Sequence, residues 1–162
     1  MYDIFLNEFT NTFSAVHPAV SAARLVAALV LAGLIGLERE IFRKPAGLRT
    51  HMLVSMAACL FILISQELST LDFGVGEAVK VDPLRLIEAV TAGVAFLAAG
   101  IIFSSGGEVH NITTGASLWL AGAIGLACGA GQVPLAAMAT VIILIVLAVL
   151  GYVERRLNRD GG

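Results

Sequence analysis

Five apolar stretches, each near the twenty or so residues that a helix needs to cross a hydrocarbon core of about 30 Å, occupy most of this chain. They run about Pro18 to Leu37, His51 to Gln66, Asp82 to Phe103, Thr113 to Gly131 and Pro134 to Val153. Lipid offers backbone groups no hydrogen-bond partner, so stretches of this length are expected to be helices. With 58% hydrophobic and 14% charged residues, the chain lacks the polar surface that a water-soluble fold of 162 residues needs. Mean hydropathy is +0.91. The expected fold is all-α, a polytopic membrane bundle of five transmembrane helices. Residues 1–17 read as an amphipathic or flexible N-terminal segment, 18–153 as the membrane domain and 154–162 as a short basic tail.

Orientation follows from the basic residues of short loops. The link from Glu38 to Thr50 holds Arg39, Arg43, Lys44 and Arg49, and the tail holds Arg155, Arg156 and Arg159. The link between spans 2 and 3 holds only Lys80 and Arg85. Both basic segments are expected in the cytoplasm, which requires an even number of spans between them. Spans 2 to 5 satisfy that parity and place the N-terminus outside, the C-terminus inside. Met1 to His17 has no basic n-region and no small-residue cleavage site, so it does not read as a signal peptide. Phe5, Phe9, Phe13 and Val16 recur at helical spacing opposite Asp3, Asn7, Asn11 and Ser14, as in a helix lying on a membrane surface. Arg24, early in span 1, is expected to snorkel to the interface.

Helices in lipid associate through close van der Waals contact, so small residues four apart mark faces that meet a neighbour. Ala28, Ala32 and Gly36 share such a face in span 1, Ala89, Gly93, Phe96 and Gly100 in span 3, and Gly115, Gly122, Gly125 and Gly129 in span 4. A compact bundle accounts for these faces. A groove kept for a second protomer accounts for them too, and the span 4 stripe, with Trp119 filling its edge, is the one expected to form a homodimer. Span 5, nearly pure Ile, Leu, Val and Ala, reads as lipid-facing.

Three polar clusters interrupt the apolar pattern. Glu38, Arg39 and Glu40, followed by Arg49, Thr50 and His51, close spans 1 and 2. A charge within a turn of an apolar run tends to be paired, so a Glu38 to Arg49 bridge is expected to pin that hairpin. Ser104 to Gly115, containing Glu108, His110, Asn111, Thr113 and Thr114, joins spans 3 and 4 without a Lys or Arg. There Thr113 or Thr114 can cap span 4, or the whole loop can form a re-entrant polar floor. The third cluster, Glu67, Asp72, Glu77 and Asp82, has oxygen ligands suited to Mg²⁺, but a solvated outer loop has the same composition and no metal site is assigned. Asp82 before Pro83 reads as the N-cap of span 3. Glu88, the most embedded acid, has Arg85 three residues behind it, and a pair on one helix face would offset its burial.

Several classes are set aside. A net charge of −2 and the lack of a Gly-rich phosphate loop argue against a nucleic-acid binder. Cys59 and Cys128 fall in apolar segments and read as packing residues, with no cofactor implied. Ser117 with His51 or His110 has no spacing that would place a catalytic pair, so an enzyme is not expected.

Gly36-Leu-Glu-Arg39, Ala46-Gly-Leu-Arg49-Thr50, Asp82-Pro-Leu-Arg85, Phe96-Leu-Ala-Ala-Gly100 and Thr113-Thr-Gly-Ala-Ser-Leu-Trp119 stand in an order and spacing that resembles the MgtC/SapB family of bacterial inner-membrane proteins. The resemblance spans roughly Leu31 to Gly131. It implies a small multi-pass protein tied to magnesium limitation, with functional residues among Glu38, Arg39, Arg49, Thr50, Asp82, Arg85, Glu88, Asn111, Thr113, Thr114 and Trp119. Members of that family often have glycine at the positions of Ala95 and Ala98, and glutamine where this chain has Ala89. Many also append a soluble cytoplasmic domain, whereas this chain ends about nine residues after span 5.

Two functions fit the resemblance. One is a non-enzymatic regulator that binds another inner-membrane protein in Mg²⁺, phosphate or ATP homeostasis. The other is a Mg²⁺ transporter, which should show acidic or amide side chains near mid-bilayer in several spans. Spans 2, 4 and 5 carry none between their ends, which favours the regulator.

Overall fold

The computed structural model describes residues 13–70, 82–105 and 107–160. Among these, five long helices follow one another: α1 Pro18–Ile41, α2 Leu48–Leu68, α3 Pro83–Ile101, α4 Ile112–Gly129 and α5 Val133–Asp160. Each is long and apolar enough to cross a membrane, α5 over Val133–Tyr152. The chain is therefore an all-α, multi-pass membrane bundle. The acids Asp72 and Glu77 and most of the expected surface helix over residues 1–17 lie outside the described residues.

Local chemistry sets the helix ends. Pro18 and Pro83 open α1 and α3, where a missing N–H costs nothing. Asp82 accepts a 3.0 Å hydrogen bond from the Leu84 N–H, as its place before Pro83 predicts. At the other end of α1, Lys44 N donates to the Arg39 carbonyl and Arg43 N to the Glu40 carbonyl, a Schellman closure with Arg43 at φ 52°. α4 closes the same way, Gln132 N to Ala127 O and Gly131 N to Cys128 O, with Gly131 at φ 81°. That left-handed position suits glycine, and a Cβ there would also stand 2.8 Å from the Arg24 guanidinium.

The core forms around α4, which packs on α1, α2, α3 and α5. Its glycines decide which neighbours come close. A Cβ on Gly125 would collide with the Ser55 carbonyl of α2, and one on Gly129 would lie 2.7 Å from the Cys59 carbonyl. One turn earlier and a little around the helix, Gly122 meets Val94 of α3 and Gly115 meets Ile102. Gly36 of α1 fits against Leu48 Cα and the His51 Cβ at the start of α2. Ala28, Ile35, Cys59, Ile124 and Cys128 fill the space between α1, α2 and α4.

Several expectations are corrected here. The α4 stripe is used inside the protomer, so it leaves no groove for a second copy, and Trp119 projects from the narrow exposed side of α4 with 48% of its surface open. On α3 the expected face is the wrong one: Ala89, Gly93, Phe96 and Gly100 are exposed, and a Cβ at Gly93 or Gly100 would meet nothing within 4 Å. The helix instead buries Val90, Val94 and Ala98, a single row at i, i+4, i+8 in which Val94 supplies the bulk that fills the Gly122 notch. The apolar part of α5 ends at Tyr152, within a residue of the expected Val153, and the helix itself runs on to Asp160. β1 Phe103–Ser105 pairs antiparallel with β2 Glu108–His110, where a loop was expected. The Phe103 and His110 rings stack across the pair at 5.2 Å.

Candidate functional site

The residues singled out by spacing divide between the two ends of the bundle. At the end where α1 stops and α2 and α4 begin, a polar network lies under the surface. Arg39, in the last turn of α1, is 4% exposed, and its Nη2 donates to Thr114 Oγ1 at 3.0 Å. This contact ties the end of α1 to the first turn of α4. Thr114 is therefore an acceptor within the network and not the cap of its helix. The N-cap position belongs to Asn111, held at φ 67° with no side-chain cap bond, while its Nδ2 donates at 3.2 Å to the otherwise orphaned Ile101 carbonyl of α3.

One turn into α4, Ser117 Oγ lies 2.9 Å from the Thr114 carbonyl and 3.1 Å from His51 Nε2. His51 Nδ1 lies 2.8 Å from the Gly47 carbonyl, and a carbonyl only accepts, so Nδ1 carries a proton. A neutral ring then accepts a hydrogen bond from the Ser117 hydroxyl at Nε2. A charged ring donates to Ser117 Oγ and frees that hydroxyl for Thr114. The Ser–His pair set aside on spacing is thus formed in space, with both residues buried, His51 at 0% and Ser117 at 2% exposure.

The expected Glu38 to Arg49 bridge is absent among the described residues. Arg49 is exposed, and Glu38 instead lies 3.9 Å from Arg39. The hairpin is closed by Glu40, whose Oε2 accepts from the Leu48 N–H at 2.7 Å and satisfies one orphan donor of α2. Thr50 is half-buried nearby, and Thr113 is exposed. The 3.9 Å pair is longer than a hydrogen bond and leaves Arg39 Nε and Glu38 Oε2 buried without partners. Both residues line a cavity of about 250 Å³ with Phe42, Lys44, Thr113, Leu147, Leu150 and Gly151.

The opposite end is held together by Arg24 and Glu67. The Arg24 guanidinium reaches the ends of two neighbouring spans: its Nη1 donates to the Gly129 carbonyl at 2.8 Å and to Gln66 Oε1 at 3.2 Å, joining α1, α2 and the C-terminus of α4. The guanidinium meets the negative end of the α4 dipole. Glu67 accepts the N–H groups of Ser14, Ala15 and Val16 and the Ser14 hydroxyl, fastening the chain before α1 onto α2. Among the described residues no cluster of three or more His, Cys, Asp or Glu side chains could hold a metal ion. Arg85 and Glu88 are both exposed on α3 and do not approach within ion-pair distance of each other, correcting the expected intrahelical pair.

The sequence itself signals two of these residues. Arg24 and His51 are polar groups inside apolar stretches, where an ionisable side chain marks a partner in the interior. Ser117 carries no such signal, because serine is common in membrane helices.

Comparison with known proteins converges on one family. The family model described as MgtC family matches residues 25–156. A protein named "Protein MgtC" from Brucella abortus (strain 2308) is 42% identical over 132 residues, covering 82% of this chain and 52% of its own length. Another "Protein MgtC", from Salmonella typhimurium, is 38% identical over 135 residues, with 83% and 54% covered. A protein of Escherichia coli K12 named "Putative magnesium transporter YhiD" is 36% identical over 138 residues, with 83% and 62% covered. The chain thus spans about half to three fifths of the length of these relatives. No solved structure matches.

Proposed function

This chain belongs to the MgtC family, and we propose that it serves Mg²⁺ homeostasis as a non-enzymatic regulator in the bacterial inner membrane, acting through contact with another membrane protein. The name of the Escherichia coli relative supports the link to magnesium. The observation that carries the choice of regulator over transporter is the sign of the interior charges. Arg39 is buried at one end of the α1–α4 interface, and Arg24 is half-buried at the other. A divalent cation about 4 Å from a guanidinium meets a repulsion of about 8 kcal/mol at an effective dielectric near 20. Between the two arginines, α2 and α4 approach to backbone contact at Gly125 and Gly129, and Ala28, Ile35, Cys59 and Ile124 occupy the remaining space. On the expected orientation the Arg39 end faces the cytoplasm, where the exposed Arg43 and Arg49 and the β1–β2 hairpin are available to a partner.

Cells deprived of their own Mg²⁺ transporters and maintained on high Mg²⁺ provide the test. Producing this chain in them should not restore growth at low Mg²⁺; restoration would favour the transporter.

We further infer that a homodimer forms through the exposed side of α3. Arg85 and Glu88 sit about 4.5 Å apart along the helix axis, one turn short of an apolar face. A two-fold axis along the membrane normal would set Arg85 of one copy beside Glu88 of the other, twice. Arg85→Glu or Glu88→Arg alone should lower the cross-linked dimer roughly fivefold, about 1 kcal/mol, and the double exchange should restore it. A dimer unmoved by either single change would place the interface elsewhere.

A further inference from the structure

The cavity between the end of α1, the start of α4 and α5 has a charged floor and an apolar wall, and neither is explained by the packing of the bundle. Arg39 is 4% exposed, with Nε unpartnered, and the buried Glu38 Oε2 is unpartnered as well. Buried charged groups are normally hydrogen-bonded, and leaving such a bond unmade is costly. Lys44 adds an ammonium, and Thr113 adds a hydroxyl in the first turn of α4. Asn111 leaves that helix without a side-chain cap, so its positive dipole end stays uncompensated on this side. Among the described residues, two cationic side chains and a helix N-terminus against one carboxylate give the floor a net positive field. Phe42, Leu147 and Leu150 form the other wall, the last two from a helix whose described spanning part is mostly exposed.

We propose that this cavity binds a phosphate group, with Arg39, Lys44 and Thr113 donating to the phosphate oxygens and Glu38 accepting from an ammonium or hydroxyl carried by the same molecule. A planar guanidinium with a buried N–H fits a phosphate better than a chloride or a carboxylate-free apolar group. At about 250 Å³ the cavity takes a headgroup-sized fragment, below the ~300 Å³ at which pockets begin to enclose drug-sized ligands. Two sources share this chemistry: a phospholipid such as phosphatidylethanolamine or phosphatidylglycerol, whose acyl chain would run along Leu147 and Leu150, and a soluble ester such as phosphoethanolamine. The inference is independent of whether the chain moves Mg²⁺.

The test uses the full chain, delipidated in detergent and titrated with short-chain phosphatidylethanolamine, phosphatidylglycerol, diacylglycerol, phosphoethanolamine and inorganic phosphate, with native mass spectrometry and thermal shift as readouts. Wild type should retain one phospholipid per protomer, and diacylglycerol should not compete for it. Lys44→Ala, at an exposed position that leaves the fold intact, should weaken binding about tenfold. Leu150→Trp, which narrows the apolar wall, should weaken the phospholipid and spare phosphoethanolamine. Binding of phosphoethanolamine and inorganic phosphate as tightly as the lipids, with the Lys44→Ala loss retained, would support the site and assign it to a soluble ligand. Equal binding of diacylglycerol and phospholipid, or no change in either variant, would overturn the proposal.

Discussion

Gly125→Leu is expected to lower the stability of the detergent-solubilised protomer by about 3 kcal/mol or more, a fall in melting temperature of roughly 10 °C. The first atom of the new side chain already collides with the Ser55 carbonyl, and backbone cannot rotate aside as a side chain can. Repair would require α2 and α4 to separate, which would also open the Gly129 contact with Cys59 one turn on. Gly93→Leu supplies the control. A Cβ at Gly93 meets nothing within 4 Å, so the same substitution on α3 should stay within about 0.5 kcal/mol of the parent. Thermal denaturation followed by size-exclusion chromatography checks the pair. Equal shifts, or a larger one at Gly93, would mean that the α2–α4 crossing is looser than described.

Arg39→Leu should cost about 3–5 kcal/mol, because it strands the Glu38 carboxylate and deprives Thr114 of its donor. Replacing both charges should recover a large part of that loss. Glu38→Leu with Arg39→Leu removes the uncompensated ion along with its partner, and swapping a buried pair for apolar groups of similar volume is often close to neutral. Arg49→Gln, by contrast, should change stability by less than about 0.5 kcal/mol, since Arg49 is exposed and unpaired with Glu38. A double-mutant cycle in denaturant or heat separates these expectations. Additivity of the Glu38 and Arg39 changes, or strong coupling of Glu38 to Arg49, would contradict the arrangement at this end.

Helix number and approximate spans were legible because lipid imposes length and apolarity on each crossing. The cap at Asp82 was legible for a similar reason, since the residue types at a helix start are set by local backbone geometry. Partner choice was not. Gly122 and Gly125 sit on one stripe in sequence, yet one faces α3 and the other α2, because a helix at the centre of a bundle meets neighbours all round. The pattern marks closeness and not what comes close. The same limit explains α3, where Gly93 and Gly100 look like an interface while Val90, Val94 and Ala98 make it. Bulk can fill a neighbour's notch as well as smallness can admit one.

The charged network was half legible. Glu38 and Arg39 stand out as charges at the edge of an apolar run, but proximity across the hairpin suggested Arg49 as the partner. Arg39 continues the buried face of α1 that carries Ala32, Ile35 and Gly36 and so reaches Thr114, while Arg49, beyond the Schellman turn at Arg43, faces out. A left-handed arginine gives no sequence signal comparable to glycine. The contacts of His51 with Ser117 and of Arg24 with Gly129 join residues 66 and 105 positions apart, a separation that local patterns do not encode.

The central claim is that this bundle acts in Mg²⁺ homeostasis without conducting the ion, since its interior is closed by backbone contact at Gly125 and Gly129 and bears a guanidinium at each end. Purified full chain reconstituted into liposomes, with a Mg²⁺-sensitive dye inside and an inwardly directed Mg²⁺ gradient, tests it most directly. The account predicts Mg²⁺ entry no faster than in protein-free vesicles at any protein density; entry that rises with protein density and saturates with Mg²⁺ would contradict it.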